Sequence, residues 1–226
     1  MPEQTEQPTQ KIYYDPISVA QRTTQLLHVV DTEDKPSMLA HILKSCDDLH
    51  AVVITRTKRD ADALSAYLKS REINAASVHG SKRVQENEAT GKAFDEGELA
   101  VLITTDMILQ SLELINITHM VSYDLPAEPK HYLNRVGCLN ERGISIALVS
   151  NEQESELLEI ERFMRHEIQE EEVVGYTGRS EADATLVSKP IKDQKKKPRH
   201  RKQKRKTVSK EKEADNTRPE DERTES

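Results

Sequence analysis

The order of apolar runs along this chain leaves few folds open to it. Residues 51–55 (AVVIT), 75–78 (AASV), 99–104 (LAVLIT), 119–123 (HMVSY) and 144–149 (ISIALV) are short, mostly apolar and often β-branched, the pattern of buried strands. Stretches with helical spacing lie between them. Residues 35–44 place Met38, Leu39, Ile42 and Leu43 on one face, and residues 59–70 do the same with Ala61, Leu64 and Leu68, Ser65 being the one small polar residue there. Glu72 and Asn74 break that second pattern. Residues 84–94 and the charged stretch 152–167, which carries Leu157, Leu158, Ile160 and Phe163, complete the succession. A β-α-β-α order calls for a parallel sheet covered by helices, because parallel neighbours need a crossover long enough to hold a helix. No internal repeat is found.

Charge divides the same chain differently. The formal net charge is -7, yet residues 189–206 hold eleven Lys or Arg and one acid, whereas residues 1–188 hold eighteen basic and thirty-two acidic side chains. An acidic body with a basic arm suggests a polyanion as partner. Residues 207–226 turn acidic again and have almost no apolar side chains to offset the entropy of ordering. The expected organisation is a flexible N-terminus over 1–15, an α/β domain over 16–168, an extension over 169–188, and a disordered tail over 189–226, basic to 206 and acidic beyond. Residues 1–10 (MPEQTEQPTQ) have no basic start, apolar run or cleavage pattern, and nothing approaches the roughly 18 consecutive apolar residues of a membrane span. No membrane association and a cytoplasmic location are expected.

Cys46 and Cys138 have no metal-type spacing and are too few for a disulfide framework, in keeping with a reducing compartment. The eight histidines are scattered, and neither paired-cysteine nor nucleophile-elbow motifs occur, so no metal site is expected. Glu170, Glu171 and Glu172 read as a solvated acidic stretch after a helix.

Ligands of a parallel sheet gather at the carboxyl ends of its strands. Here those ends are polar: Thr55-Arg56-Thr57-Lys58, His79-Gly80-Ser81-Lys82, Thr104-Thr105-Asp106 and Asp124-Leu125-Pro126. Taken singly, each reads as a helix cap, a turn or a strand exit. Taken in order, they resemble the C-terminal RecA-like domain of DEAD-box RNA helicases, most closely the RhlE type. Residues 52–58 (VVITRTK) with the helix after them look like that family's motif IV, 101–106 (VLITTD) like motif V, and 121–126 (VSYDLP) with Tyr132, Arg135, Val136 and Gly137 like the approach to motif VI. Residues 21–31 look like the strand that leads the domain and 175–191 like an RhlE-type exit, so the resemblance covers about 16–191.

The resemblance implies a RecA-like parallel β-sheet flanked by helices. It also implies RNA backbone contacts at Arg56, Thr57, His79, Gly80, Thr105 and Asp106, and nucleotide contacts at Glu113 and Arg135. The departures from the family weigh as much. Motif V continues as Gln110-Ser111-Leu112-Glu113 where the family has Arg-Gly-Leu-Asp. Arg135 is the one motif VI arginine kept without a gap, since Cys138 and Glu141 stand at the next two arginine positions and Arg142 reaches the third only through a gap. Val84 and Asn87 occupy places where the family has glutamine and arginine. The chain also shows neither a P-loop nor the Asp-Glu-Ala-Asp sequence; Gly91-Lys92 sits in a helical pattern, with Glu86 where a P-loop has its first glycine.

These residues point away from catalysis, so no catalytic residue is assigned and no cofactor is expected for the chain alone, ATP and Mg²⁺ entering only beside a separate P-loop domain. RNA, single-stranded or ribosomal, is the expected partner, with another helicase domain or a ribonucleoprotein as further candidates. Lys195, Lys196, Lys197, Arg199, Arg201, Lys202, Lys204, Arg205 and Lys206 would supply salt-dependent affinity without base stacking, because no aromatic is interleaved among them. The favoured reading is a non-catalytic RNA-binding or regulatory module. Alternatives are the C-terminal half of a split helicase and a decayed helicase fragment.

Overall fold

In the computed structural model, which describes residues 15, 18, 22–46, 48–140 and 143–178, every strand points the same way. The strands are β1 (Thr24–Val29), β2 (Ala51–Ile54), β3 (Ala75–Ser77), β4 (Val101–Thr104), β5 (His119–Ser122), β6 (Ile144–Val149) and β7 (Gln169–Glu170). They lie in the order β3-β4-β2-β5-β6-β1-β7. Helices α1 (Lys35–Ser45), α2 (Lys58–Ser70), α3 (Val84–Asp95), α4 (Asp106–Leu109), α5 (Pro129–Gly137) and α6 (Glu154–Met164) make the connections. The chain divides at Lys189, and this description concerns the unit before it.

Burial on both faces explains why the strands read as continuous apolar runs. Ala51, Val53, Val101 and Ile103 join the core beneath α1 and α2, with Met38, Leu39, Leu64 and Leu68. Val52, Ile54, Leu102 and Met120 face the opposite way and pack with Phe94, Tyr132, Val136, Ile160 and Met164 from α3, α5 and α6. Each Val, Leu, Ile, Phe or Met side chain among them, fully buried, contributes about 1.5–3 kcal/mol through apolar surface removed from water. A sheet covered on both sides leaves its edge loops as the exposed polar ground.

Local chemistry sets the helix ends. Thr57, extended at φ -128, caps α2: its Oγ1 accepts from the Asp60 amide at 3.2 Å and donates to the Asp60 carboxylate at 2.6 Å. Thr57→Ala is expected to cost about 1 kcal/mol, read as a lower denaturation midpoint with an unchanged slope. At the other end of α2, Glu72 adopts φ 63, the left-handed turn that ends the helical pattern. The charged stretch 152–167 opens with a 3-10 turn, Asn151–Gln153, before α6, and Arg165 closes that helix at φ 54.

Of the apolar residues of α6, Leu157, Ile160 and Met164 form the inward stripe, which leaves Leu158 53 % and Phe163 47 % exposed. One expectation needs correction. The acidic stretch after α6 is not merely solvated, because Gln169–Glu170 pairs with β1 at Leu26 and Leu27 and the Glu171 amide donates to the Leu27 carbonyl at 2.9 Å. Its side chains stay exposed while its backbone completes the sheet.

At the amino ends of the strands, the His50 ring lies against Phe94 with centroids 3.8 Å apart, and His119 Nδ1 meets Thr118 Oγ1 at 2.8 Å. Burial pulls both imidazoles below their usual 6.5, with Asp95 opposing it for His50. The unfolded chain therefore binds more protons below pH 6.5. Stability from the neutral rings is expected to be complete above that value and to fall as pH drops through the lowered folded pKa values. Denaturation midpoints near pH 7.5 and near pH 5 should differ less in His50→Phe than in the wild type.

Candidate nucleic-acid interface

Because β3, β4, β2 and β5 are consecutive and parallel, the loops after them line one edge of the sheet. This brings together His79 and Gly80, Thr105 and Asp106, Arg56 and Thr57, and Asp124. Exposure then sorts them. Arg56, Thr57 and Gly80 are exposed and Thr105 is half-buried, whereas His79 and Arg135 are buried. The Arg56 amide donates to Asp124 Oδ2 at 2.9 Å, tying the β2 loop to the β5 loop. Lys58 Nζ donates to Ser81 Oγ at 2.6 Å, tying the start of α2 to the β3 loop. A Cβ at Gly80 would meet nothing closer than Ile108 at 3.9 Å, so the backbone there is open to an outside group.

Arg135 holds the rim from below. Its Nε and Nη2 donate to the two carboxylate oxygens of Asp106, each at 2.7 Å, while Nη1 donates to Ser122 Oγ at 2.9 Å and to the Asp124 carbonyl at 2.7 Å. The residue is 1 % exposed and four of its five N–H groups are committed inside the domain. The Asp106 carboxylate is thereby occupied by Arg135. His79 is also held internally, Nε2 meeting Asp62 Oδ1 at 2.9 Å. Burial pushes the Asp62 carboxyl up, but hydrogen bonds from Ser77 and His79, with the charges of His79 and Lys82, outweigh it and hold its pKa below the usual range.

The divergent positions have definite environments. Asn87 Nδ2 donates to the His79 carbonyl at 3.1 Å, and Val84 is 71 % exposed at the start of α3. Gln110, Ser111 and Glu113 are exposed. Cys138 ends α5 with its thiol donating to the Asn134 carbonyl at 3.2 Å, and desolvation pushes the thiol pKa up, which keeps it neutral. Glu141 and Arg142, and the basic positions from Lys195 to Lys206, lie outside the described residues.

Lys35 and Asp62 are parts of the site that sequence reading missed. Lys35, at the start of α1, is 2 % exposed; its Nζ donates to the Tyr123 carbonyl at 2.9 Å and to Gln153 Oε1. Burial lowers its pKa to about 8, against the attraction of Asp124. It joins the loops after β5 and β6 from beneath. No sequence signal marks it, since a lysine at the start of a helix ordinarily faces water. Among the described residues no helix is long and apolar enough to cross a membrane, and no group of three or more His, Cys, Asp or Glu could hold a metal ion.

An all-parallel sheet covered on both faces, with polar loops along its carboxyl edge, is a doubly wound α/β fold, and its likeness to solved DEAD-box domains makes it RecA-like. The profile of the helicase conserved C-terminal domain family matches residues 34–138. Over that stretch, a little under half of its length, the chain is similar to helicase C-terminal domains, and its relatives include DEAD-box RNA helicases. It is 26 % identical over 163 residues to the DEAD-box ATP-dependent RNA helicase RhpA of Helicobacter pylori, covering 70 % of this chain but 33 % of that one. This chain thus spans about a third of the length of that relative. Its fold is similar to E. coli DEAD-box protein SrmB, solved bound to the regulator of ribonuclease activity A, with TM-score 0.63, 23 % identity and coverage of 67 % and 91 % of the two chains. It is also similar to a DEAD box protein from Methanococcus jannaschii, with TM-score 0.64, 23 % identity and coverage of 68 % and 43 %.

Proposed function

We propose that this chain acts as a non-catalytic RNA-binding or regulatory module, an RhlE-type helicase C-terminal domain that has lost its phosphate-handling arginines. The observation that carries this reading is the internal commitment of Arg135 together with the neutral thiol of Cys138 at the next arginine position. A γ-phosphate in transfer needs a guanidinium fork directed at it, which neither a buried, carboxylate-paired arginine nor a thiol supplies. Among the described residues the groups present do not fit a nucleoside triphosphate with Mg²⁺. Glu113 would meet its ribose end and nothing cationic its phosphates.

RNA remains a suitable ligand for what the rim retains. Exposed Arg56, Thr57 and Gly80, with Thr105 beside them, offer a cation, hydroxyls and open backbone, the groups that hold phosphates and sugars without reading bases. The basic arm adds affinity through counterion release. A cytoplasmic location and a protein partner, either another helicase domain or a ribonucleoprotein, complete the proposal. SrmB, which is bound to a regulator of ribonuclease activity in its own structure, supports the protein-partner part of this reading.

The test titrates labelled single-stranded RNA with the full chain at two salt concentrations while following ATP turnover. Salt-dependent binding without turnover is expected. RNA-stimulated ATP hydrolysis by this chain alone would overturn the non-catalytic reading.

A further inference from the structure

One cleft lies away from the strand-end loops. Between the start of α5 and the last turn of α6, Pro129, Glu159, Arg162, Phe163 and Arg165 line a shallow cleft, open to solvent, of about 590 Å³, a volume in the range of ligand sites. The chain has two phenylalanines; Phe94 is fully buried, while Phe163 presents nearly half its surface to this cleft and to solvent. Glu159 precedes Phe163 by four residues and Arg162 by three, so all three belong to neighbouring positions of one helix surface. Arg165 follows at the left-handed residue that closes the helix. No side-chain hydrogen bond or ion pair engages Arg162 or Arg165 among the described residues.

We propose that this cleft takes an unpaired guanine of a single-stranded RNA, stacked on Phe163, with its flanking phosphates met by Arg162 and Arg165. The inference rests on the RNA-binding reading above and adds the place where a base is read. A half-exposed ring beside two uncommitted guanidiniums is the composition of a stacking platform on a phosphate track. Glu159 selects among bases. Its two oxygens accept from adjacent donors, and guanine offers N1–H and N2–H side by side, whereas uracil offers one N–H between two carbonyls that a carboxylate repels. An acidic peptide would satisfy the arginines and leave Glu159 facing like charge. Of the two, the nucleotide matches all the groups present.

The experiment uses the full chain and three variants, Phe163→Ala, Phe163→Trp and Glu159→Gln, with labelled oligouridine that carries or lacks one central guanosine. In parallel, GMP is titrated while the Phe163 ring signals are followed by NMR. Phe163→Ala is expected to weaken binding of the guanosine strand by about 5- to 150-fold, Phe163→Trp to retain it, and Glu159→Gln to narrow the preference for guanosine over uridine. Equal binding by Phe163→Ala and wild type would overturn the proposal. If the wild-type chain binds neither strand, the RNA-binding function itself fails and the cleft is judged by GMP alone. Movement of the Phe163 signals then sustains a guanine site, and no movement overturns it. Signals that move with an acidic peptide but not with GMP assign the cleft to protein docking and also overturn it.

Discussion

Arg135→Met is expected to destabilise the domain by about 3 kcal/mol, because it removes a buried guanidinium with four hydrogen bonds and leaves its acceptors, including the half-buried Asp106 carboxylate, without their donor. Asp106 would lose a two-pronged partner at 2.7 Å, and the Ser122 hydroxyl and Asp124 carbonyl would each lose a donor. Against the 5–15 kcal/mol typical of a whole domain, that loss is a large fraction of the total. Denaturant titration should show an earlier midpoint. Arg135→Lys is expected to recover only part of the loss, since an ammonium cannot form both parallel bonds and also reach the other two acceptors. A variant as stable as wild type would mean that Arg135 is not the structural tie its geometry describes. The rim loops after β4 and β5 share that tie, and the Arg56 amide is bound to Asp124, so the RNA contacts proposed for Thr105 and Arg56 should weaken with it.

The second large effect concerns the arm. A chain ending at Ser188 lacks nine basic residues of the set from Lys195 to Lys206, namely Lys195, Lys196, Lys197, Arg199, Arg201, Lys202, Lys204, Arg205 and Lys206. If all nine meet phosphates of single-stranded RNA, the logarithm of affinity falls with the logarithm of salt at a slope of about -6. Between 50 and 200 mM salt the full chain should then lose about 10³- to 10⁴-fold in affinity. The shortened chain should bind weakly and with a much shallower slope. Equal affinity and equal slope for the two chains would remove the arm from the proposed function.

Both predictions bear on how much was legible in the residues themselves. Strands β2 to β6 were found because a sheet buried on both faces demands unbroken apolar runs, and each of the five proposed runs contains an observed strand. The four proposed helices were found for a related reason, since a single buried stripe imposes its period on the sequence. β7 was not legible: Gln169 and Glu170 enter the sheet through backbone hydrogen bonds, which leave no mark on side-chain hydropathy. The site divides in the same way. Position after a strand announced Arg56, Thr57, His79, Gly80, Thr105 and Asp106, because parallel strands bring their carboxyl ends to one edge. Position could not say which of these point outward.

The sequence by itself determined the parallel α/β architecture, the order of the strand-end segments and the separation of an acidic body from a basic arm, because periodicity and charge are properties of neighbouring residues. Only the tertiary structure decided that Arg135 and Asp106 satisfy each other, that His79 turns inward to Asp62, that Lys35 is buried beneath the rim, and that Phe163 faces a cleft instead of the core. Arg135 and Asp106 are 29 residues apart in the chain, Lys35 and Gln153 118 apart. Whether a polar group is spent inside the domain or left for a ligand depends on partners at such distances. Pairing of that kind is set by how the sheet is ordered, and no local pattern records it.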